Sequence, residues 1–198
     1  TNLTFANHWL APRLPKLYAQ HPDIHLHIST AIWDPMERVD EADIEIRFLI
    51  SQEVDLNAER LTWDNFYPVC APDYQVDLKQ INQHRLFYCT AMMTTWDAWA
   101  EDQTIAKCPK ITHCQVLGTA LAAAEAGVGL AMAHDCTVKN SIDSERLVRP
   151  FTHSVAMPEA YYLTLNPRAE RNPQASQFAD WLRTEMAADY NERDGTQA

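Results

Sequence analysis

The 198-residue chain is 46% hydrophobic and 22% charged, a composition typical of a globular protein that folds in water. Its 27 acidic residues outnumber its 16 basic ones and give a net charge of −11, which argues against a free-standing nucleic-acid binder, because such proteins hold phosphates with Lys and Arg. No apolar run approaches the ~20 residues needed to cross a bilayer, so we expect no membrane contact.

The first third of the chain predicts one helix and two strands. Residues 7–20 carry apolar side chains at helical spacing, and Pro12 and Pro15 are expected to kink this helix or to occupy its first turn. Residues 24–28 (IHLHI) and 43–48 (DIEIRF) alternate apolar and polar side chains, which is the pattern of β-strands.

The middle of the chain predicts two further strands and a helix. The strands are residues 66–72 (FYPVCAP), which Pro72 ends, and residues 85–90 (RLFYCT). The helix places Trp96 and Trp99 on one face, and both rings are expected in the core rather than on a ligand platform.

Residues 119–133 (TALAAAEAGVGLAMA) contain two of the four glycines of the chain, and a third glycine directly precedes them. Gly118 and Thr119 form a plausible helix start, and Gly127 stands where the end of an alanine-rich helix favours a left-handed residue. VGLAMA then predicts a buried strand. Because the spacing matches neither a phosphate-binding loop nor G-x-G-x-x-G, these glycines predict a helix-to-strand turn and no nucleotide site.

The last part of the chain predicts a strand at residues 160–165 (AYYLTL) and an amphipathic helix that begins at Asn172 and Pro173. The terminal sequence NERDGTQA is expected to be a loose polar tail. Strands that alternate with helices indicate an α/β fold with a largely parallel sheet. The apolar stripe of the last helix is formed by Phe178, Trp181, Leu182 and Met186.

The five cysteines contain no CxxC pair. An odd count without such pairs predicts reduced thiols in a cytoplasmic protein. The spacing of the cysteines and histidines matches no common zinc motif, so we predict no metal and no cofactor.

The candidate catalytic groups have no partner at a useful spacing. His25 and His27 share a face of a predicted strand, where exposed polar residues are more common than metal ligands. His134 and Asp135 suggest part of a charge relay, but no G-x-S-x-G nucleophile elbow accompanies them. We therefore predict no enzymatic activity. Two thiols lie in apolar strands and are expected to be inert: Cys70 and Cys89.

Nine segments follow one another along the chain: FANHWLAPRL (5–14), HPDIHLHIST (21–30), DEADIEIRF (40–48), LTWDNFYPVCAPDY (61–74), WDAW (96–99), ALAAAEAGVGLAMA (120–133), RLVRPF (146–151), YYL (161–163) and FADWL (178–182). Together they resemble the effector-binding domain of LysR-type transcriptional regulators, in the branch of the glycine-cleavage activator and the β-lactamase regulators. The chain departs from the family pattern at Leu49 and Ile50, where glycine is frequent.

The resemblance implies an α/β fold of two Rossmann-like lobes joined by two crossover strands, similar to type 2 periplasmic-binding proteins. Lobe I would comprise residues 1–66 and 164–198, and lobe II residues 67–163. The family's amino-terminal winged helix-turn-helix would be absent from this chain, which accords with the acidic charge.

The resemblance also implies a sensing function. A small-molecule effector, such as a carboxylate or an amino acid, would bind in the cleft between the lobes and change how the domains pair. The domain would form a homodimer, and the longer protein a tetramer that contacts DNA only through the absent domain. A periplasmic solute-binding receptor is the alternative interpretation, and an enzyme is a more distant one.

The family's motifs place the effector-binding residues at the ends of strands and the starts of helices. Thr4, Thr119 and Tyr161 are the first choices. Arg47 has two equally weighted roles, either as the cation for a carboxylate or in a surface ion pair with Asp40 or Asp43. The other effector-binding residues implied by the resemblance are Phe5, Thr30, Ala31, Trp33, Thr90, Thr95 and Val116.

Overall fold

The computed structural model describes residues 1–31, 42–90, 92, 96–100 and 110–196. The strands of this part of the chain are β1 (Ile44–Ile50), β2 (Glu59–Arg60), β3 (Asn65–Val69), β4 (Leu86–Cys89), β5 (Ile111–Cys114), β6 (Leu130–His134), β7 (Val155–Ala156) and β8 (Glu159–Leu165). The α-helices are α1 (Leu3–Phe5), α2 (Leu14–Gln20), α3 (Trp96–Trp99), α4 (Leu117–Glu125), α5 (Asp135–Asp143) and α6 (Pro173–Thr196). Short 3-10 segments occupy Ser51–Glu53, Leu78–Gln83 and Pro167–Arg171.

The strands form two sheets. One has the order β1-β8-β2 with antiparallel pairing throughout, and the other has the order β5-β4-β6-β3-β7. In the second sheet β4 pairs in parallel with β5 and β6, whereas β3 pairs antiparallel with β6 and β7. The prediction of a largely parallel sheet is therefore wrong. Pairings such as Ile44 with Leu165 join distant parts of the chain, and a local alternation of elements cannot reveal their direction.

Four of the predicted strands are confirmed, with ends that shift by a few residues. The prediction at residues 43–48 corresponds to β1, that at 66–72 to β3, that at 85–90 to β4 and that at 160–165 to β8. β1 continues through Leu49 and Ile50 as an ordinary strand, so the missing glycine does not break it.

The predicted strand at residues 24–28 is wrong, because this segment forms no ladder in the described part of the chain. Nearby, Ala31 makes an isolated parallel bridge with Asn2, in which the Leu3 N–H donates to the Ala31 carbonyl at 3.1 Å. The alternating pattern of residues 24–28 reflects side-chain burial, since Ile24 packs in the same apolar cluster as Leu17. Alternation alone therefore indicated an extended backbone but not a paired one.

The first helix begins earlier than predicted, at Leu3, and changes its geometry along its length. α1 leads into a π-helical segment, Ala6–Leu10, and then into a 3-10 turn, Ala11–Arg13, before α2. Pro12 lies in the 3-10 turn and Pro15 lies in the first turn of α2. Proline lacks a backbone N–H, and in a first turn this removes no helical hydrogen bond. The prolines therefore divide the helix rather than end it.

Apolar side chains form two buried clusters, one around the five-stranded sheet and one between the first helix, the three-stranded sheet and α6. Trp96 and Trp99 are core residues, as predicted. The predicted stripe of α6 is buried, and each large apolar side chain there contributes roughly 1.5–3 kcal/mol. The predicted loose tail is wrong as far as Thr196, because α6 continues to that residue.

Among the described helices, none has both the length and the apolar character of a membrane span.

The end of α4 has the hydrogen bonds of a Schellman motif. Gly127 adopts φ 72°, its N–H donates to the Ala124 carbonyl at 3.0 Å, and the Val128 N–H donates to the Ala123 carbonyl at 3.1 Å. β6 follows directly, so the predicted helix-to-strand turn is confirmed. Gly129 has a different role, because a Cβ atom there would collide with the backbone carbonyl of Arg85.

We expect Gly129→Ala to destabilise the fold more than Gly127→Ala. Alanine at Gly127 meets open space and costs only the left-handed backbone, about 1–2 kcal/mol. Alanine at Gly129 must push apart the backbones of β4 and β6, because a carbonyl group cannot rotate out of the way as a side chain can. Urea denaturation of both variants measures the difference, and equal free energies of unfolding would contradict this account.

Candidate functional site

The start of the first helix lies against the return strand β8. The Asn2 side chain accepts a hydrogen bond from the Phe5 N–H at 2.8 Å and one from the Tyr161 hydroxyl at 3.3 Å. Thr4, in the same turn, is only 8% exposed. The structure thus brings together three of the predicted site residues, Thr4, Phe5 and Tyr161.

Four rings join the two sheets, and we refer to Phe5, Phe48, His134 and Tyr161 as the aromatic junction. The Tyr161 ring lies 4.7 Å from Phe5 and 4.8 Å from Phe48, measured between centroids. Phe48 of β1 stacks on His134 at the end of β6, with centroids 5.5 Å apart. The aromatic junction therefore links the three-stranded sheet directly to the five-stranded sheet.

The first helix also contacts the start of α4, where two predicted residues lie. Val116 is the N-cap of α4, and the Thr119 N–H donates to its carbonyl at 3.1 Å. The His8 ring packs against Gly118, where an added Cβ atom would lie 3.0 Å from His8 Nε2. Burial at this contact lowers the pKa of His8, although Glu125 nearby favours its charged form.

The remaining predicted residues that the structure describes lie at two other places. Thr90 is exposed after β4, and its hydroxyl donates to the Cys114 carbonyl at 3.3 Å. Trp33 and Thr95 lie outside the described residues. Three more predicted residues line one 520 Å³ cavity between residues 24–31 and the edge strand β1: Thr30, Ala31 and Arg47.

This cavity, which we call the edge cavity, is bordered by charges of both signs. Arg168 lies on its wall with Asp43, and the Nε of Arg168 is 3.2 Å from that carboxylate. Asp43 also accepts a hydrogen bond from the Asn172 side chain at 3.1 Å. Arg47 is half-buried on the same wall, and Asp40, its other proposed partner, lies outside the described residues.

A buried polar cluster, which the sequence analysis missed, lies beside the aromatic junction. The Asp64 carboxylate is 2.7 Å from His134 Nδ1, and it also accepts hydrogen bonds from the Tyr190 hydroxyl at 2.6 Å and the Cys136 N–H at 3.2 Å. The sequence suggests Asp135 as the partner of His134, but Asp135 instead accepts a hydrogen bond from the Asn65 N–H.

The electrostatics of this cluster follow from its burial. Burial alone would raise the pKa of Asp64, but the hydrogen bond and charge of His134 and the hydrogen bonds of Tyr190 and Cys136 hold it below its usual value. Burial, together with the adjacent Asp64 carboxylate, raises the pKa of both the Cys136 thiol and the Tyr190 hydroxyl. The cluster therefore contains one ionised carboxylate and a neutral thiol. No local motif could have revealed this cluster, because its central pair, Asp64 and His134, lies 70 residues apart in the sequence.

The sequence prediction of unreactive thiols in the strands agrees with the environment of Cys70. Burial raises the pKa of Cys70, and the same effect raises that of Cys114. A raised pKa reduces the fraction of thiolate, the nucleophilic form.

A family model described as the LysR substrate binding domain matches residues 1–187 of the chain. The glycine cleavage system transcriptional activator of Escherichia coli is 24% identical over 197 residues, which cover 94% of this chain and 63% of the activator. The transcriptional activator AmpR of Pseudomonas aeruginosa is 31% identical over 195 residues, covering 93% of this chain and 64% of AmpR. The chain thus spans slightly less than two thirds of the length of these relatives.

Solved structures give the same assignment for the fold. The effector domain of AmpR from Pseudomonas aeruginosa superimposes with a TM-score of 0.77 at 25% identity, covering 97% of this chain and 96% of that domain. CrgA of Neisseria meningitidis, a LysR-type transcriptional regulator, gives a TM-score of 0.66 at 18% identity over 93% of this chain and 66% of CrgA. These findings confirm the predicted two-lobed fold, and the relatives that match are transcriptional regulators, not periplasmic receptors. The chain belongs to the LysR substrate binding domain family.

Proposed function

We propose that this chain is the effector-sensing domain of a LysR-type transcriptional regulator and that it binds a small molecule between its two lobes. The observation that carries the proposal is the meeting of the first helix with both β8 and the start of α4. Thr4 and Tyr161 lie on one side of this meeting point, and Val116 and Thr119 lie on the other.

The groups at this position suit a small carboxylate or an amino acid. The Tyr161 hydroxyl, which donates to Asn2, would accept a hydrogen bond from an amino group, and the first turn of α4 would add backbone N–H groups that favour a carboxylate. Phe5 is fully buried here and would supply apolar surface for the rest of the ligand only when the first helix moves. We propose that Arg47 and Thr30 extend the site from lobe I, and that Thr90 extends it from lobe II.

Burial at the helix start suggests how binding would be transmitted. Because Thr4 is nearly inaccessible, a ligand that reaches its hydroxyl would have to separate the first helix slightly from the elements packed against it. The aromatic junction would resist this movement at one end and act as its pivot. A ligand that binds the separated state more tightly than the packed state increases the population of the separated state. The longer protein would respond to this change in population.

In the longer protein we expect an amino-terminal winged helix-turn-helix to bind DNA, since this chain carries a net charge of −11. The domain would pair as a homodimer and the longer protein would form a cytoplasmic tetramer. The domain would act on no substrate, because sensing requires binding and release without reaction.

A thermal-shift screen of the domain tests the proposal. The compounds are amino acids, small carboxylates and cell-wall fragments. A compound present at about 100 times its dissociation constant adds roughly 2.7 kcal/mol to the free energy of unfolding and raises the melting temperature. Chemical turnover of a compound that binds would contradict a sensing role.

Thr4→Val is expected to weaken binding of the best compound from this screen by about tenfold and to leave the free energy of unfolding nearly unchanged. The substitution keeps the shape of the side chain and removes one hydrogen bond to the ligand, worth about 0.5–1.5 kcal/mol. Isothermal titration calorimetry measures the change. Thr184→Val removes an exposed hydroxyl on α6 and serves as the control. Equal affinity of the wild type and Thr4→Val would remove Thr4 from the site.

Arg47→Ala is expected to abolish the preference for a carboxylate over the matching uncharged amide. A charged hydrogen bond contributes about 1.5–3 kcal/mol, so the ratio of the two dissociation constants should fall by about tenfold or more. Arg183→Ala is a control on the surface, where Arg183 pairs with Glu59. If Arg47→Ala still selects the carboxylate, Arg47 has a structural role and the cation lies elsewhere.

A further inference from the structure

Three potential metal ligands converge in the buried cluster beside the aromatic junction. Asp64 lies directly before β3, His134 ends β6, and Cys136 lies in the first turn of α5. One carboxylate oxygen of Asp64, one ring nitrogen of His134 and Cys136 Sγ lie within 4.8 Å of one another, and all three residues are buried. We propose that the Asp64–His134–Cys136 cluster binds one divalent transition-metal ion of the zinc class.

The donor set and the spacing suit such an ion. Zinc combines thiolate, imidazole and carboxylate ligands, and tetrahedral bonds of about 2.0–2.3 Å place neighbouring ligand atoms roughly 3.3–3.5 Å apart. Cys136 Sγ is 3.7 Å from His134 Nδ1, close to this spacing. His134 Nδ1 and Asp64 Oδ2 are 2.7 Å apart and must separate by about half an ångström. A small rotation of the carboxylate provides that movement.

Neighbouring groups already orient the three ligands. The other carboxylate oxygen of Asp64 accepts hydrogen bonds from the Tyr190 hydroxyl and the Cys136 N–H, which turn Oδ2 towards His134. Phe48 stacks on the imidazole and fixes the plane of the ring. Such outer contacts are a regular feature of metal sites, because they hold the ligands in place before the ion arrives.

The charges balance when the ion is bound. The Cys136 thiol loses its proton to the solvent. The proton that His134 Nδ1 shares with Asp64 also leaves that nitrogen, so His134 coordinates through Nδ1 as a neutral imidazole with its proton on Nε2. One thiolate and one carboxylate then neutralise the divalent ion. A neutral site avoids the large cost of an uncompensated charge in the protein interior.

Three protein ligands would leave one position of a tetrahedral ion open, and we place that position on the side of Tyr190. The Tyr190 hydroxyl is already 2.6 Å from Asp64 Oδ1, and its ring contacts Trp63, which is 56% exposed. We place the entry route for the ion along these two side chains. A water molecule or the Tyr190 hydroxyl would complete a site with three protein ligands.

Cobalt(II) titration of the reduced domain tests the proposal, since cobalt occupies zinc sites and reports its ligands by absorption. We expect saturation at one equivalent, d–d bands of tetrahedral cobalt and a thiolate-to-cobalt charge-transfer band. Zinc should displace the cobalt and raise the melting temperature. Cys136→Ala should lose the charge-transfer band and bind at least tenfold more weakly, whereas Cys114→Ala, which removes another buried thiol, should retain the band.

Asp64→Asn provides a second variant, with circular dichroism as the check of folding. It keeps the size of the side chain and weakens the ligand, so the affinity for cobalt should fall while the spectrum of any bound ion keeps its thiolate band. The proposal is wrong if the wild type shows no charge-transfer band in a tenfold excess of cobalt. It is also wrong if the band survives in Cys136→Ala, because the ion then binds to another thiol.

Discussion

The buried carboxylate of Asp64 is the constraint on which the arrangement of the domain depends. It receives hydrogen bonds from the end of β6, the start of α5 and the last helix α6. A buried charge without such partners would cost several kcal/mol, so these elements must arrive at one point for the fold to be stable. Local sequence does not dictate that meeting, and the carboxylate enforces it.

The aromatic junction transmits this constraint to the other sheet. His134 bonds to Asp64 on its Nδ1 side and stacks against Phe48 with its ring face, so one side chain holds a polar contact and an apolar one together. Tyr161 extends the stack to Phe5 and reaches the first helix through Asn2. A change at the helix start therefore has a short, continuous path of packed rings to the five-stranded sheet.

The elements that the sequence predicted correctly are those whose pattern is local. The apolar stripe of α6 and the glycine that ends α4 are properties of neighbouring residues, and both are confirmed. The errors concern pairing between distant segments. Residues 24–28 have the alternation of a strand without a ladder, and the direction of β8 beside β1 has no local signature.

The candidate site divides in the same way. Family motifs placed Thr4, Phe5 and Tyr161 near one another, and the structure shows the hydrogen bond through Asn2 that joins the helix start to β8. No motif pointed to Asp64, because its partner His134 is 70 residues away in the sequence and becomes a neighbour only when β3 pairs with β6. Short spacing suggested Asp135 instead, and only three-dimensional packing distinguishes the two carboxylates.

The isolated bridge between Asn2 and Ala31 has a consequence for how the domain loosens. The segment at residues 24–28 is held by its side chains, and the described chain gives its amides no ladder, whereas β8 is paired on both edges. Its amide protons should exchange with deuterated solvent long before those of β8, since exchange there requires no opening of the sheet. The segment beside the three-stranded sheet with the least protected amide protons thus lines the edge cavity, as Arg47 does.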